Sequence, residues 1–192
     1  TGLDVDLGRR RARAAALLLL GLPGSAYLYQ GEELGLEEVM DIPDELRDDP
    51  VFLRSQGVEV GRDGCRVPLP WEATGASLGF GSNGAWLPQP AHWAALAAAG
   101  QQDDPTSMLT LYRRALATRR SSPALRTTDM TWVDSPPAVL HLRRPHSRGD
   151  VHVVVNMAQE RYALPDGEVL ASSHPVADGL LAGDAAAWVQ LS

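Results

Sequence analysis

Two stretches of this 192-residue chain hold side chains whose types and spacing suit chemistry. One is Gly31-Glu32-Glu33, directly after the short apolar run Ser25–Tyr29. The other is Arg62-Asp63-Gly64-Cys65-Arg66-Val67-Pro68-Leu69-Pro70-Trp71. Adjacent carboxylates at a strand end point to opposite faces, so Glu32 and Glu33 cannot both meet one substrate. One of them suits a supporting role, as an acceptor that orients a nearby arginine. Arg66 is the strongest binding candidate. Its guanidinium can donate two hydrogen bonds in a fixed fork to neighbouring hydroxyls, or pair with a carboxylate that holds them. Arg62 and Asp63 shape the same loop, either for binding or as a local ion pair. Trp71, Trp86 and Trp93 offer ring faces for stacking, with plain burial as the competing role. Cys65 has no His or Lys neighbour in sequence and is expected to be inert.

The elements that must position these residues follow from pattern. Residues 8–20 read as a helix, because Ala, Leu and Arg are strong formers and the leucines of Leu17–Leu20 close it. Gly21 and Pro23 stop it. Ser25–Tyr29 is short, apolar and flanked by turn formers, the mark of a buried strand. Period 2 puts Tyr27 and Tyr29 on one side, in a core. Helix, tight turn, buried strand and terminal polar cluster make one step of an α/β barrel, in which that cluster faces the active site. Residues 30–104 carry most of the turn formers and read as one enlarged loop, with short helical turns at 42–46 and 91–99. Asp104-Pro105 starts a second long helix, whose apolar face runs from Met108 to Leu116 and which Pro123 ends. From Thr128 the pattern changes to six β-prone runs: 130–133, 138–143, 151–157, 161–164, 168–172 and 186–191. Turn signals lie between them, so they read as an antiparallel sandwich.

The first stretch, Gly-x-Pro-x-x-x-x-Tyr-x-Gly-x-Glu from Gly21 to Glu32, resembles the last barrel strand of the α-amylase family of glycoside hydrolases. The second is similar to the Arg-Asp-x-x-Arg-x-Pro-x-x-Trp motif of its α-glucosidase and oligo-1,6-glucosidase branch, and Trp86-Leu87-Pro88 follows at a fitting distance. The resemblance covers nearly all of residues 1–192. It implies the end of a (β/α)8 barrel over 1–125, comprising last strand, long loop and last helix, and a small antiparallel β-sandwich over 126–192. A whole barrel takes about 250 residues, so only its end is expected here. The resemblance further implies a retaining α-glucosidase acting on short oligosaccharides or glucosides. Arg66 would grip the non-reducing-end glucose, with Arg62 and Asp63 beside it. Val67 stands where the family often has Thr, and Pro70 where it often has Gln. The family's nucleophile, acid/base and third Asp map to no residue here, because no histidine of the five is preceded by Asn and followed by Asp. No catalytic residue is assigned, and the chain alone is expected to be inactive. Open alternatives are a transglycosylase or isomerase of the sucrose or trehalose type, a non-catalytic relative serving as a partner subunit, and a free-standing sugar-binding β-module.

Composition narrows the field. A net charge of -7 argues against nucleic acid, and the arginines at 9, 10, 11 and 13 read as a solvated helix face. Those cations oppose the helix dipole, for which the sequence offers no account. One cysteine excludes an internal disulfide and a cysteine metal cluster. No cofactor, metal or membrane partner is expected, and the reading favours a cytoplasmic protein.

Overall fold

A computed structural model describes residues 4–191. They divide into two compact units. One joins the residues up to 27 with those from 111 onward, and the other is Leu28–Thr110. The helix Val5–Gly21 groups with the strands because it buries its apolar side on the sheet.

In the first unit, helix α1 spans Val5–Gly21. Asp4 caps it, its Oδ1 accepting from the Leu7 N–H at 2.9 Å. Five strands, β1 (Thr131–Trp132), β2 (Val139–Arg144), β3 (Val151–Asn156), β5 (Glu168–Ser172) and β7 (Ala185–Gln190), form an antiparallel sheet in the order β1-β2-β3-β7-β5. Strands β4 (Tyr162–Ala163) and β6 (Leu180–Leu181) pair as a separate ribbon. The sequence shows no run for β6, because Leu180-Leu181 is too short for period 2 to register. Strand β3 is buried throughout, so both faces of the sheet are covered. On one face Val153 and Trp188 meet α1 so closely that a Cβ on Gly21 would lie 2.8 Å from a Val153 methyl. The Trp188 indole donates to the Leu17 carbonyl at 3.0 Å. On the other face Val139, Val154 and Ala187 cluster with Leu181 and Tyr162 of the ribbon.

The same unit accounts for two of the arginines of α1, Arg11 and Arg13. Arg11 pairs with Asp184 at 2.8 Å, and Arg13 Nε donates to the Ser173 carbonyl at 2.9 Å. These cations tie the helix to sheet loops, which offsets their cost near its positive end. At the other end, buried Arg144 donates to the carbonyls of Gly21, Thr127 and Asp129. Arg119 donates to Leu20, Leu22 and Gly24. Both guanidiniums thus close the negative end of α1 and the turn after it.

The segment Ser25–Tyr29 corrects the expectation. It is not a strand, and Tyr27 and Tyr29 are 87% and 48% exposed rather than in a core. A strand exists by pairing, and no other strand among the described residues pairs with it.

The second unit is mostly turns, with α2 (Pro50–Arg54) and α3 (Ala98–Gln101). Short 3-10 turns occur at Asp44–Leu46, Asp63–Cys65 and Ala91–Leu96. Its core gathers Val39, Ile42, Val67, Leu87 and Trp93. Buried side chains stand in for missing ladder bonds. Arg47 donates to the carbonyls of Ile42, Val60 and Met40. Gln101 donates to those of Leu34 and Leu96 and accepts from the Leu109 N–H. Helix α4 runs Met108–Ser121, starting later than Asp104-Pro105 implied. Asp104 instead accepts from Thr106 N and Oγ1, closing a turn, and Ser107 Oγ accepts from the Thr110 N–H at 3.0 Å.

Candidate functional site

The loop from Asp48 to Arg66 folds around two buried carboxylates. Asp63 is 1% exposed, and its Oδ2 accepts from the N–H groups of Asp48 and Asp49, each at 3.0 Å. Asp49 is 3% exposed and caps α2, its Oδ1 accepting from Val51 N at 2.8 Å. Its Oδ2 accepts from Arg62 N at 3.1 Å. The next residue, Pro50, fits because the first position of a helix needs no N–H. Gly64 lets the loop close, since a Cβ there would lie 2.4 Å from the Val39 carbonyl oxygen. The Val39 N–H in turn donates to Gly64 O at 3.2 Å.

Arg66 completes the arrangement. Its Nη1 donates to Asp49 Oδ2 at 2.8 Å and lies 3.4 Å from Asp63 Oδ1. Both contacts use one nitrogen, and among the described residues the other guanidinium nitrogens have no hydrogen-bond partner. The side chain is 44% exposed, so a donor edge faces outward from a fixed base. Burial would lower the Arg66 pKa, but the carboxylates of Asp49 and Asp63 outweigh it and hold it above the usual value. The Val51 N–H, working against burial, and then Arg62 N and Arg66 hold Asp49 below the usual carboxylate range. Asp49 and Arg66 therefore both stay ionised near neutrality. The loop is therefore a rigid presenter of one cation, suited to hydroxyls or to an anionic group.

The remaining candidates fall variously. Arg62 enters the network through its backbone N–H. Glu32 accepts from Tyr29 N at 3.2 Å and Glu33 from Gly31 N at 2.8 Å, so both brace the turn after Tyr29. The carboxylates that pair with Arg66 are Asp49 and Asp63. Sequence reasoning missed Asp49; the signal was its place directly before Pro50, as a helix cap. Trp93 is core at 2% exposure, its indole donating to Glu37 Oε1 at 3.3 Å, whereas Trp71 and Trp86 are more than half exposed. Burial, and then Glu38, push the Cys65 thiol up, consistent with an inert sulfur. Among the described residues no group of three or more His, Cys, Asp or Glu is placed to hold a metal, and no helix is long and apolar enough to cross a membrane.

Known proteins share this architecture. Residues 1–128 match the family described as alpha amylase, catalytic domain, and residues 131–188 match a domain of unknown function, DUF3459. A probable alpha-glucosidase of Rhizobium meliloti (strain 1021) is 38% identical over 149 residues, which is 78% of this chain and 27% of that protein. A probable oligo-1,6-glucosidase 2 of Bacillus subtilis (strain 168) is 25% identical over 179 residues, 83% of this chain and 32% of that protein. The crystal structure of the alpha-glucosyl transfer enzyme XgtA superimposes with a TM-score of 0.78 at 37% identity, covering 95% of this chain and 36% of that one. The chain thus spans about a quarter to a third of the length of these curated relatives. The two family models match one after the other along the sequence, and the chain belongs to the alpha-amylase family, as the end of its catalytic barrel followed by a β-sheet domain.

Proposed function

We propose that this chain is the substrate-gripping, C-terminal part of a retaining α-glucosidase that releases glucose from short α-linked oligosaccharides. Residues 1–125 complete the barrel and residues 126–192 form the domain that follows. Supporting this reading most directly is the outward donor edge of Arg66, fixed by Asp49 and Asp63 inside a loop that fits the α-glucosidase branch. Retaining chemistry needs a nucleophilic carboxylate and an acid/base carboxylate about 5 Å apart. No carboxylate of this chain is assigned to either task. Arg66 binds sugar hydroxyls, or the carboxylate that holds them, and so orients the ring for attack. Arg62 and Asp63 shape the loop, and Glu32 and Glu33 brace its neighbour. The exposed rings of Trp71 and Trp86 are placed to stack on further sugar units.

Transfer of the glucosyl group to another sugar is the second reading, favoured by the likeness to XgtA, an alpha-glucosyl transfer enzyme. Both readings use the same grip. In the complete enzyme, Arg66→Ala should lower kcat/KM on a chromogenic α-glucoside at least about tenfold. A value within a factor of about two of the parent enzyme would make the arginine structural only. Product analysis in excess acceptor sugar separates hydrolysis from transfer.

A further inference from the structure

A cleft of about 530 Å3 opens in the first compact unit, lined by Pro123, Arg126, Thr127, His146, Ser147 and Arg148. We propose that it binds the phosphate group of a small ligand. Its polar lining is rich in donors. Arg126 and Arg148 contribute two guanidiniums, and among the described residues neither lies within ion-pair distance of a carboxylate. No Asp or Glu lines the cleft, although the protein carries a net charge of -7.

His146 adds a directed donor. The Arg148 N–H donates to its Nδ1 at 3.1 Å, so the proton of the neutral ring sits on Nε2. Ser147 and Thr127 bring hydroxyl groups, although Thr127 Oγ1 already donates to the Ala124 carbonyl. Two guanidiniums with an imidazole N–H match the several acceptor oxygens of a phosphate, which arginine meets in paired hydrogen bonds.

Both walls are held in place beforehand. On one side the buried Arg144 guanidinium donates to the carbonyls of Thr127 and Asp129. On the other, Asp150 Oδ1 accepts from His146 N at 2.9 Å, and Gln190 Nε2 donates to Arg148 O at 3.3 Å. The two arginines therefore occupy anchored turns, which lowers the ordering cost of binding. The cleft volume exceeds that of a bare ion and falls in the range of small-molecule sites. Free phosphate and a phosphorylated sugar share the chemistry invoked.

The inference is independent of the glycosidase reading, since Arg66 lies in the other unit. Titration of the full chain with inorganic phosphate, glucose 6-phosphate and glucose, followed by calorimetry and by the His146 ring resonances, tests it. Saturable binding of either phosphate compound, none of glucose, and at least a tenfold loss of affinity in R126Q/R148Q are expected. Equal affinities for the two phosphate compounds identify free phosphate as the ligand, whereas tighter binding of glucose 6-phosphate identifies a phosphorylated sugar. Both arginines are exposed, so an unchanged melting temperature serves as the control for folding. Absence of saturable binding by both phosphate compounds, or binding that R126Q/R148Q leaves unchanged, overturns the proposal.

Discussion

Asp49 shows how a single residue joins architecture to chemistry. One carboxylate caps α2, binds the Arg62 backbone and neutralises Arg66. Replacing it by Asn keeps the shape but turns one acceptor into a donor, which then faces other donors. The expected result is a lower melting temperature together with a kcat/KM loss comparable to that of Arg66→Ala. Asp49→Glu should recover part of the stability, because the charge is kept, and little of the activity, because the longer arm moves Arg66. A merely structural Asp49 would give both properties back together. The discriminating measurement is therefore the pair of values, melting temperature and kcat/KM, for the two variants in the complete enzyme.

At the scale of elements, the sheet face beneath the β4–β6 ribbon carries a titratable pair. His141 Nε2 lies 2.7 Å from His152 Nδ1 on the neighbouring strand, and both rings are buried. The Tyr162 hydroxyl from the ribbon lies 3.4 Å from His141 Nδ1. Burial, and then the neighbouring His152, lower the His141 pKa to about 4. Burial lowers His152 as well, Asp150 opposing it and Arg143 adding to it. A base whose pKa is depressed by folding binds more protons when unfolded. Its stabilising effect is complete above the unfolded value of 6.5 and is lost as pH falls from there toward about 4. The loss should reach on the order of 2 kcal/mol. His174, lowered by burial and then by Arg13 and Arg10, contributes with the same sign. Asp150, depressed by the His146 N–H and by Arg143, weakens the fold only at lower pH. Urea unfolding of the chain should thus show a lower midpoint at pH 5 than at pH 7.5, with a smaller difference in His141→Gln. An identical difference in that variant would place the sensitivity elsewhere.

For the whole molecule, the segment Ser25–Tyr29 decides expectations. It has the composition of a buried barrel strand, yet its tyrosines are exposed and no strand pairs with it among the described residues. Uncovered apolar side chains and unpaired backbone groups favour association. The chain by itself should give no turnover of a chromogenic α-glucoside, since no residue is assigned as nucleophile or acid/base. Light scattering should show self-association that rises with concentration. Turnover that survives repurification would overturn the first expectation, and a concentration-independent monomer the second.

The sequence by itself determined the two long helices, the turn from helical to strand-rich pattern near Thr128, and the motif spacing of Arg62–Trp71. These are local properties, carried by period, turn residues and motif spacing. Only the tertiary structure decided that Asp49 is the partner of Arg66, 17 positions away. Only it showed that Arg11 and Arg13 of α1 serve as ties to the sheet loops, and that Arg126 and Arg148 share one cleft. Ser25–Tyr29 marks the boundary between the two kinds of knowledge. Its composition is written in the chain, but whether it is a strand depends on backbone partners, and hydrogen-bond pairing across distant segments is a property of the assembled fold.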